Sequence, residues 1–289
     1  MMNFSILLQH ITYGIVTGSI LLLATIGFSM TYTIKGFFNI AHAELLTVGA
    51  YLTYLFYRIM GWNFIYSAIL AIVLTTMIGF LIGKTLYEPM EKYGSLILVF
   101  TSIGVAFAMN GITEFIAGPI IKSYRMLPTK AIRVAGIPLV GEREVLIVVI
   151  AVLSSFFLHF LLTRTSIGKA FRAMASNTNL AMIRGINTTK ITNFVWIYAS
   201  AMAGLAGILL AMVTSLSTDL GWRQILIILA ASILGGLGSI YGAMIGTILL
   251  GLVMDIGVIF LPTAYRPTIA FAVIIIMLII KPNGIFGGK

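Results

Sequence analysis

The chain has little of what a soluble protein or an enzyme normally needs. It contains no cysteine, 3 histidines and 8 acidic residues among 289. The absence of cysteine excludes disulfides, thiolate metal sites and thiol catalysis. Charged residues make up 9% of the chain and hydrophobic residues 60%, whereas soluble domains carry roughly 25% charged residues. One soluble core cannot hide this apolar excess, so we predict an all-α polytopic membrane protein.

Acidic residues are outnumbered by basic ones, and the formal net charge is +10. The basic residues are spread over short segments between apolar runs, where lysine and arginine favour an anionic membrane surface. The sequence has no interleaved aromatic and basic groove of the kind that binds single-stranded nucleic acid. We therefore expect membrane lipid, and not nucleic acid, around this chain.

Long apolar runs predict about nine transmembrane helices, with eight to ten allowed, in a single domain over residues 1–289. An uncharged run over 224–254 is interrupted by glycines at 235, 236 and 238, which predicts a short span, a break and a full span. The predicted spans are 4–34, 36–57, 59–83, 93–113, 145–163, 191–218, two within 224–254, and 267–280.

Two hydrophilic segments suggest the orientation. The segment 164–190 carries five basic residues and no acidic residue, which favours the cytoplasm and places the amino terminus outside. The segment 118–144 contains Pro119, Pro128 and Pro138, which predicts an extended outer loop.

Three polar residues interrupt the second predicted span, namely Asn39, His42 and Glu44. Such residues are costly in a membrane unless they face water or a partner. Two compatible interpretations remain open. In one, the cluster is a helix start, with Asn39 as the cap and Glu44 in the first turn. In the other, it lines a substrate pathway or gate. A metal site is not expected, because His42 and Glu44 are two residues apart and no second histidine is near.

Small residues recur at helical spacing along three runs. Close helix packing in lipid requires such residues, so these runs predict packing seams, which could also slide during transport. The runs are Gly14 and Gly18; Ala199, Ala203, Gly207 and Ala211; and Gly238, Gly242 and Gly246.

The stretch Leu234-Gly-Gly-Leu-Gly-Ser239 has neither the spacing nor the lysine of a nucleotide-binding loop. We interpret it as a helix break and assign Gly235, Gly236, Gly238 and Ser239 to the substrate pathway. Together with Asn39–Glu44, it suggests two paired half-helices that arose from an internal repeat.

The segment 166–187 predicts one or two short surface helices with an apolar edge and a face of small residues. Small residues let another protein's backbone approach closely. A plain cytoplasmic linker with a basic helix on the membrane surface is the alternative.

Four motifs, in order along nearly the whole chain, resemble the branched-chain amino-acid permease family of ABC importers. Residues 39–44 (NIAHAE) are similar to the family's N-F-A-H-G-E, with Ala43 where glycine is usual. Residues 168–177 match G-x-x-x-R-A-x-A-x-N and are followed by Gly185-Ile-Asn187. Residues 234–246 and 281–287 are similar to the family's L-G-G-x-G-S-x-x-G-A-x-x-G and R-P-x-G-x-x-G motifs.

The resemblance implies a type II-like ABC importer permease with broken helices, in a bacterial or archaeal cell membrane. It also implies two ATPase subunits, a second permease subunit that is a copy or a paralogue, and an extracytoplasmic substrate-binding protein. ATP is expected on the ATPase partners, and this chain is expected to bind no cofactor and to catalyse nothing. By the same resemblance, the residues that couple to the ATPase are Gly168, Arg172, Ala173, Ala175, Asn177, Arg184, Gly185 and Asn187.

The transported substrate is expected to be leucine, isoleucine or valine, with urea or short amides as alternatives. A stand-alone ion-coupled transporter is the competing class, and Glu44, Glu114 and Asp255 would then be its coupling sites. No set of residues suggests an intramembrane enzyme.

Overall fold

The computed structural model describes residues 4–126, 130–134 and 137–287, and these residues are mostly helical. Pro128 and four other positions of the predicted outer loop lie outside the described residues. The helices are α1 (Phe4–Lys35), α2 (His42–Tyr54), α3 (Phe64–Ile82), α4 (Glu88–Met90), α5 (Ser95–Ala117), α6 (Glu142–Arg164), α7 (Ser166–Ser176), α8 (Thr178–Ile183), α9 (Thr188–Val213), α10 (Trp222–Gly235), α11 (Ile240–Gly257) and α12 (Arg266–Ile280).

Within the described part of the chain, 7 helical segments are long and apolar enough to cross a membrane. They comprise α1, α3 with its continuation to Tyr93, α5, α6, α9, α11, and α12 with the turn before it. The predicted figure of about nine is approximate, because α10 is a shorter apolar helix and α2, which continues as a helix to Ile59, is not among the seven. The chain is therefore a membrane protein with several spans.

The helices α1 and α9 form the centre of the fold and are the most buried of the spans. The two helices run in opposite directions. The start of α1 and the end of α9 line one cavity, whereas Thr31 near the end of α1 and Trp196 near the start of α9 line another. A Cβ on Gly27 would lie 2.7 Å from the Ala199 carbonyl oxygen, so the two backbones touch where they cross. Glycine permits this approach.

The predicted seams of small residues are confirmed as packing seams except at Gly238, where a Cβ would meet nothing within 4 Å. Gly14 and Gly18 contact the backbone of α11, and Gly207 contacts the Leu46 carbonyl of α2. Gly242 and Gly246 face the end of α10, where Gly235 lies. Apolar attraction is weak between helices in lipid, so these backbone contacts are the means by which α1, α2, α9, α10 and α11 pack together.

A long helix followed by a non-helical segment and a short helix occurs twice. The first instance is α1, residues 36–41 and α2; the second is α9, residues 214–221 and α10. Since α1 and α9 are antiparallel, the two units have inverted orientations, as in many transporters. The counterpart of the segment 36–41 is therefore 214–221, and not the glycine break at 235–239 that the sequence suggested.

The outer loop is not purely extended. Its described part contains an antiparallel hairpin of β1 (Ala131–Val134) and β2 (Ile137–Gly141), and α6 begins at Glu142 inside the predicted loop. Nearer α5, the Lys122 backbone exchanges two hydrogen bonds of 2.9 Å with Leu216, which ties the loop to the segment 214–221.

Candidate functional site

The segment before α2 turns back into the protein instead of continuing α1. The His42 Nε2–H donates to the Ala24 carbonyl oxygen at 2.9 Å. Ala24 precedes the end of α1 by about three turns, or roughly 16 Å. This distance is about half of a hydrocarbon core of roughly 30 Å, so α2 begins near mid-depth. Non-helical backbone is tolerated there because the surrounding helices bury it.

Asn39 does not cap α2, contrary to one of the two sequence interpretations. The residue at the cap position is Ala41, and no side chain bonds to the first turn. Instead, the Asn39 Oδ1 accepts a hydrogen bond of 3.0 Å from the Tyr87 hydroxyl. Asn39 thus fixes the segment 36–41 to the helical continuation of α3. The Ser102 hydroxyl supports the same segment by accepting from the Ile40 N–H at 3.1 Å.

Glu44 lies in the first turn of α2, as predicted, and is fully enclosed. Neither of its carboxylate oxygens has a hydrogen-bond partner that meets normal geometry. The side chains of Asn110 and Thr47 face it; Asn110 also donates to the Thr218 carbonyl at 3.1 Å, and Thr47 also accepts from the Gly221 N–H at 2.8 Å. A buried acid without strong partners is costly. Glu44 is therefore a candidate for a group that gains a partner in another state.

Ala43 occupies the position at which the resembling motif has glycine, yet the helices still approach closely there. A Cβ on Gly221 would collide with the Ala43 carbonyl oxygen. The glycine that permits this contact is therefore Gly221, directly before α10, and not a residue of α2. The first turns of α2 and α10 meet at this point.

Asn39 and His42 line a cavity of about 10 Å³, the space of about one water molecule. Tyr87 and Trp196 close it with their rings, whose centroids are 5.4 Å apart. An amino acid does not fit in this cavity. If the predicted pathway passes these residues, this conformation is closed at mid-depth.

The glycine break connects α10 and α11 at the opposite end of α10. Gly236 and Gly238 have positive φ angles of 106° and 84°, which only glycine adopts without strain. Ser239 caps α11 by accepting from the Gly242 N–H at 3.1 Å. The chain's tail covers the break, because the Phe286 N–H donates to the Gly235 carbonyl at 3.0 Å.

The break does not face the Asn39–Glu44 cluster. Gly238 and Ser239 line an open groove of about 580 Å³ together with Thr33, Arg172 and Ala175. This groove therefore joins two of the seven predicted pathway residues to the predicted coupling segment. Gly235 and Gly236 are buried beneath the tail.

The coupling segment forms two short helices, α7 and α8, as the sequence predicted. The apolar side of α7 is buried through Phe171 and Met174, which join a cluster with residues of α1, α6 and α9. Gly168 contacts the carbonyl oxygens at the end of α6, where a Cβ would collide. Arg172 donates to one of these carbonyls, that of Leu162. Movement of α7 would therefore be passed directly to α6.

Three of the predicted coupling residues are helix caps. The Asn177 Oδ1 accepts from the Leu180 N–H, and the Asn187 Oδ1 from the Lys190 N–H, each at 2.9 Å. Gly185, with φ of 82°, ends α8: its N–H donates to the Met182 carbonyl, and the next N–H to the Ala181 carbonyl. This is the glycine-based Schellman ending. These residues set the shape of the segment.

The outward face of the segment is apolar in part. Leu180, Met182 and Ile183 are 52%, 56% and 81% exposed. We call these three residues the α8 patch. Ala175 and Arg184 are also exposed, and Ala173 is half-buried. An exposed patch of large apolar side chains on a segment held by its other face is typical of a protein contact.

An ion-coupled transporter could use three acids, and two of them differ from Glu44 in burial or in pairing. Asp255 on α11 is buried and forms an ion pair with Arg266 at the start of α12. Glu114 is exposed near the end of α5. Glu44 alone of the three is buried without an ionic partner among the described residues.

Two features of the site were not predicted from the sequence. The sixth predicted span, 191–218, included residues 214–218 of the non-helical segment, whereas α9 ends at Val213. The polar run Thr-Ser-Leu-Ser-Thr-Asp over 214–219 was the available signal. The second feature is a large cavity at the end opposite to α7, lined by residues from α1, α6, α9, α10, α11 and α12.

Helices broken at mid-depth, inverted structural units and an anchored helical segment outside the spans define a membrane transport permease. The family model for the branched-chain amino acid transport system permease component matches residues 10–279. The chain belongs to this family.

Individual relatives agree along the full length. The high-affinity branched-chain amino acid transport system permease protein LivH of Escherichia coli K12 is 28% identical, and the match covers 99% of this chain and 97% of LivH. The corresponding protein BraD of Pseudomonas aeruginosa is 28% identical over 97% of this chain and 95% of BraD. A solved structure, PsaBC from Streptococcus pneumoniae in complex with Fab, aligns with 98% of this chain and 92% of its own, at a TM-score of 0.46 and 13% identity.

Proposed function

We propose that this chain is the permease subunit of an ATP-driven importer of branched-chain amino acids. The observation that carries the proposal is similarity along the whole length to permeases named for the transport of these amino acids. ATP binding and hydrolysis would occur on partner subunits, and this chain would provide one half of the path through the membrane.

The segment 164–190 would be the docking site of an ATPase subunit. Its geometry supports this role, because one face is held by α1, α6 and α9 while the α8 patch is exposed. The residues that sequence analysis assigned to coupling then have two kinds of function. Gly168 and Arg172 would transmit motion to α6, whereas Asn177, Gly185 and Asn187 would give α8 its shape.

A second permease subunit and an extracytoplasmic binding protein would complete the importer. Transport would require the closed mid-depth contacts to open, above all those around the small cavity at Asn39 and His42. The short helices α2 and α10 meet at Ala43 and Gly221. Rotation of one inverted unit against the other would separate this contact, as in other carriers with broken helices.

An ion-coupled transporter that acts alone is the competing candidate, and the observation that favours it is the unpaired carboxylate of Glu44. This candidate predicts uptake without ATPase subunits and loss of uptake in Glu44→Gln. The importer proposal predicts no uptake by the chain alone.

Co-purification distinguishes these candidates. The chain is tagged, expressed with its genomic neighbours and purified in detergent, and the bound proteins are identified. We expect an ATPase pair and a second permease, and uptake of leucine into liposomes only with ATP and binding protein. A chain that purifies alone and transports leucine without ATP would refute the importer proposal. Urea in place of leucine as the ATP-dependent cargo would refute the assigned substrate.

A further inference from the structure

A cavity of about 580 Å³ lies at the end of the molecule opposite to α7 and α8. It extends along α1 from His10 to Leu21, a depth of about 16 Å. The ends of α9 and α11 and the beginnings of α10 and α12 complete its wall. Small-molecule sites usually have volumes of roughly 300–1,000 Å³, so this cavity has the size of a ligand site.

The polar residues of the cavity include two acids and two arginines. Glu144 and Asp255 supply carboxylates, and Arg223 and Arg266 supply guanidinium groups. Arg223 already pairs with Asp219 at 2.9 Å, and Asp255 pairs with Arg266. Both signs of charge are thus present at one site, which suits a ligand that carries both.

Three buried polar atoms of these residues have no hydrogen-bond partner in the described protein. They are the Glu144 Oε2, the Asp255 Oδ2 and the Arg266 Nε. Asp255 is only 1% exposed, so bulk water does not compensate for the missing bond. The three residues that carry these atoms line the same cavity, and buried groups of this kind normally have partners.

The rest of the wall is apolar. Val16, Ile20, Leu210, Ile227 and Met254 supply aliphatic and thioether surface to the cavity. An ammonium group could bond to the two free carboxylate oxygens and an anionic group to the Arg266 Nε, while an apolar group contacts this wall. Charge-assisted bonds of this type are the strong ones in low-dielectric surroundings.

We infer that this cavity binds a zwitterion that carries an apolar group. The inference deepens the proposed function, because a branched-chain amino acid has this chemistry. The headgroup of a phosphatidylethanolamine lipid has the same pair of charges and is the other source. The amino acid and the lipid headgroup both carry an ammonium and an anionic group. Binding of leucine itself distinguishes the first ligand from the second.

The test uses the purified importer complex in nanodiscs of phosphatidylglycerol. Saturation-transfer NMR, which detects weak ligands, measures the binding of leucine, of 4-methylpentanoate, which lacks the ammonium, and of 3-methylbutylamine, which lacks the carboxylate. We expect leucine to bind at least about tenfold more tightly than either, since each analogue leaves a buried charge unpaired. Native mass spectrometry of complexes purified from cells measures retained phosphatidylethanolamine.

Two variants locate the binding. Asp255→Asn removes the charge and should weaken the binding of the zwitterion by about ten- to a hundredfold. Thr17→Phe fills the cavity and keeps the ion pair of Asp255 with Arg266. It should weaken the binding of the zwitterion by a similar factor, and it tests the site even if Asp255→Asn fails to fold. The matched controls are Glu142→Gln, an exposed acid in the same turn as Glu144, and Thr12→Phe, on α1 but not in the cavity wall.

The results distinguish an amino acid as the ligand, a lipid headgroup as the ligand, and a cavity without either ligand. Leucine binding that both variants weaken supports the site with an amino acid as ligand. Retained phosphatidylethanolamine that both variants release, without leucine binding, supports the site with a headgroup as ligand. If neither ligand responds to the variants, the cavity holds water only and the inference is wrong. If ATP-dependent leucine uptake, leucine binding and lipid retention are all unchanged in both variants, the proposed function stays intact while this site is refuted.

Discussion

Replacement of Ile183 by alanine isolates the contribution of the α8 patch to ATPase docking. Ile183 is 81% exposed, so the substitution removes almost no contact within the chain. Exposed substitutions of this kind usually change the free energy of unfolding by less than about 0.5 kcal/mol. Any larger effect on assembly must then come from a partner.

The expected magnitude follows from the exposed fraction. Alanine lacks three of isoleucine's side-chain carbons, each worth about 0.8 kcal/mol when it is buried. If the ATPase covers the exposed 81%, Ile183→Ala loses about 2 kcal/mol of binding free energy, or roughly 30-fold in affinity. Biolayer interferometry with the permease pair in nanodiscs and the ATPase in solution measures this change.

The matched control is Ile116→Ala. Ile116 is 77% exposed but lies at the far end of α5, opposite to α7 and α8. It should bind the ATPase like the wild type. Equal affinities of Ile183→Ala and the wild type would refute docking through the α8 patch. Equal losses in both variants would indicate a general defect in the membrane part.

Three further predictions concern glycines and a cap. In Gly207→Ala, the new Cβ meets the Leu46 carbonyl, so the melting temperature should fall, with about 1–3 kcal/mol lost; Gly111→Ala, which meets nothing within 4 Å, should not lower it. At Gly185, where φ is 82°, alanine should cost about 1–2 kcal/mol of backbone strain. Hydrogen exchange in α8 should therefore accelerate in Gly185→Ala, and to a smaller extent in Gly185→Asn. Ser239→Ala removes the α11 cap at a cost of about 1 kcal/mol, and thermal unfolding should begin earlier, whereas Ser239→Asp should preserve stability.

The sequence predicted those parts of the fold that local pattern controls. Apolar length predicted α1, α3, α5, α6 and α9 to within a few residues at most ends, and glycines predicted the break between α10 and α11. One or two short helices in the segment 166–187 also followed from its apolar edge and its face of small residues. These features depend on neighbours a few positions away, which a linear sequence displays directly.

Features that depend on distant residues were not accessible in this way. The Oδ1 of Asn39 accepts from Tyr87, which is 48 positions away, instead of capping α2. The segment 214–221 becomes non-helical where Gly221 meets Ala43 and Thr47. The cavity opposite to α7 takes its wall from six helices. Nothing in the local sequence around Glu144, Asp255 or Arg266 shows that these residues line one cavity.

Two cavities lie along the central helix α1, a large one at the end opposite to α7 and a small one at mid-depth. Four residues follow one face of α1 at spacings of three, four or seven residues: Thr17 and Leu21 in the large cavity, Ala24 beneath His42, and Thr31 in the small cavity. Thr33, on the opposite side of α1, lines the groove shared by Arg172 and Ser239. A displacement of α7 that shifts α1 along its glycine contacts would change the closed region between the cavities. If an ATPase docks on the segment 164–190 as proposed, the central helix α1 is the element that would link this docking to the closed region between the cavities.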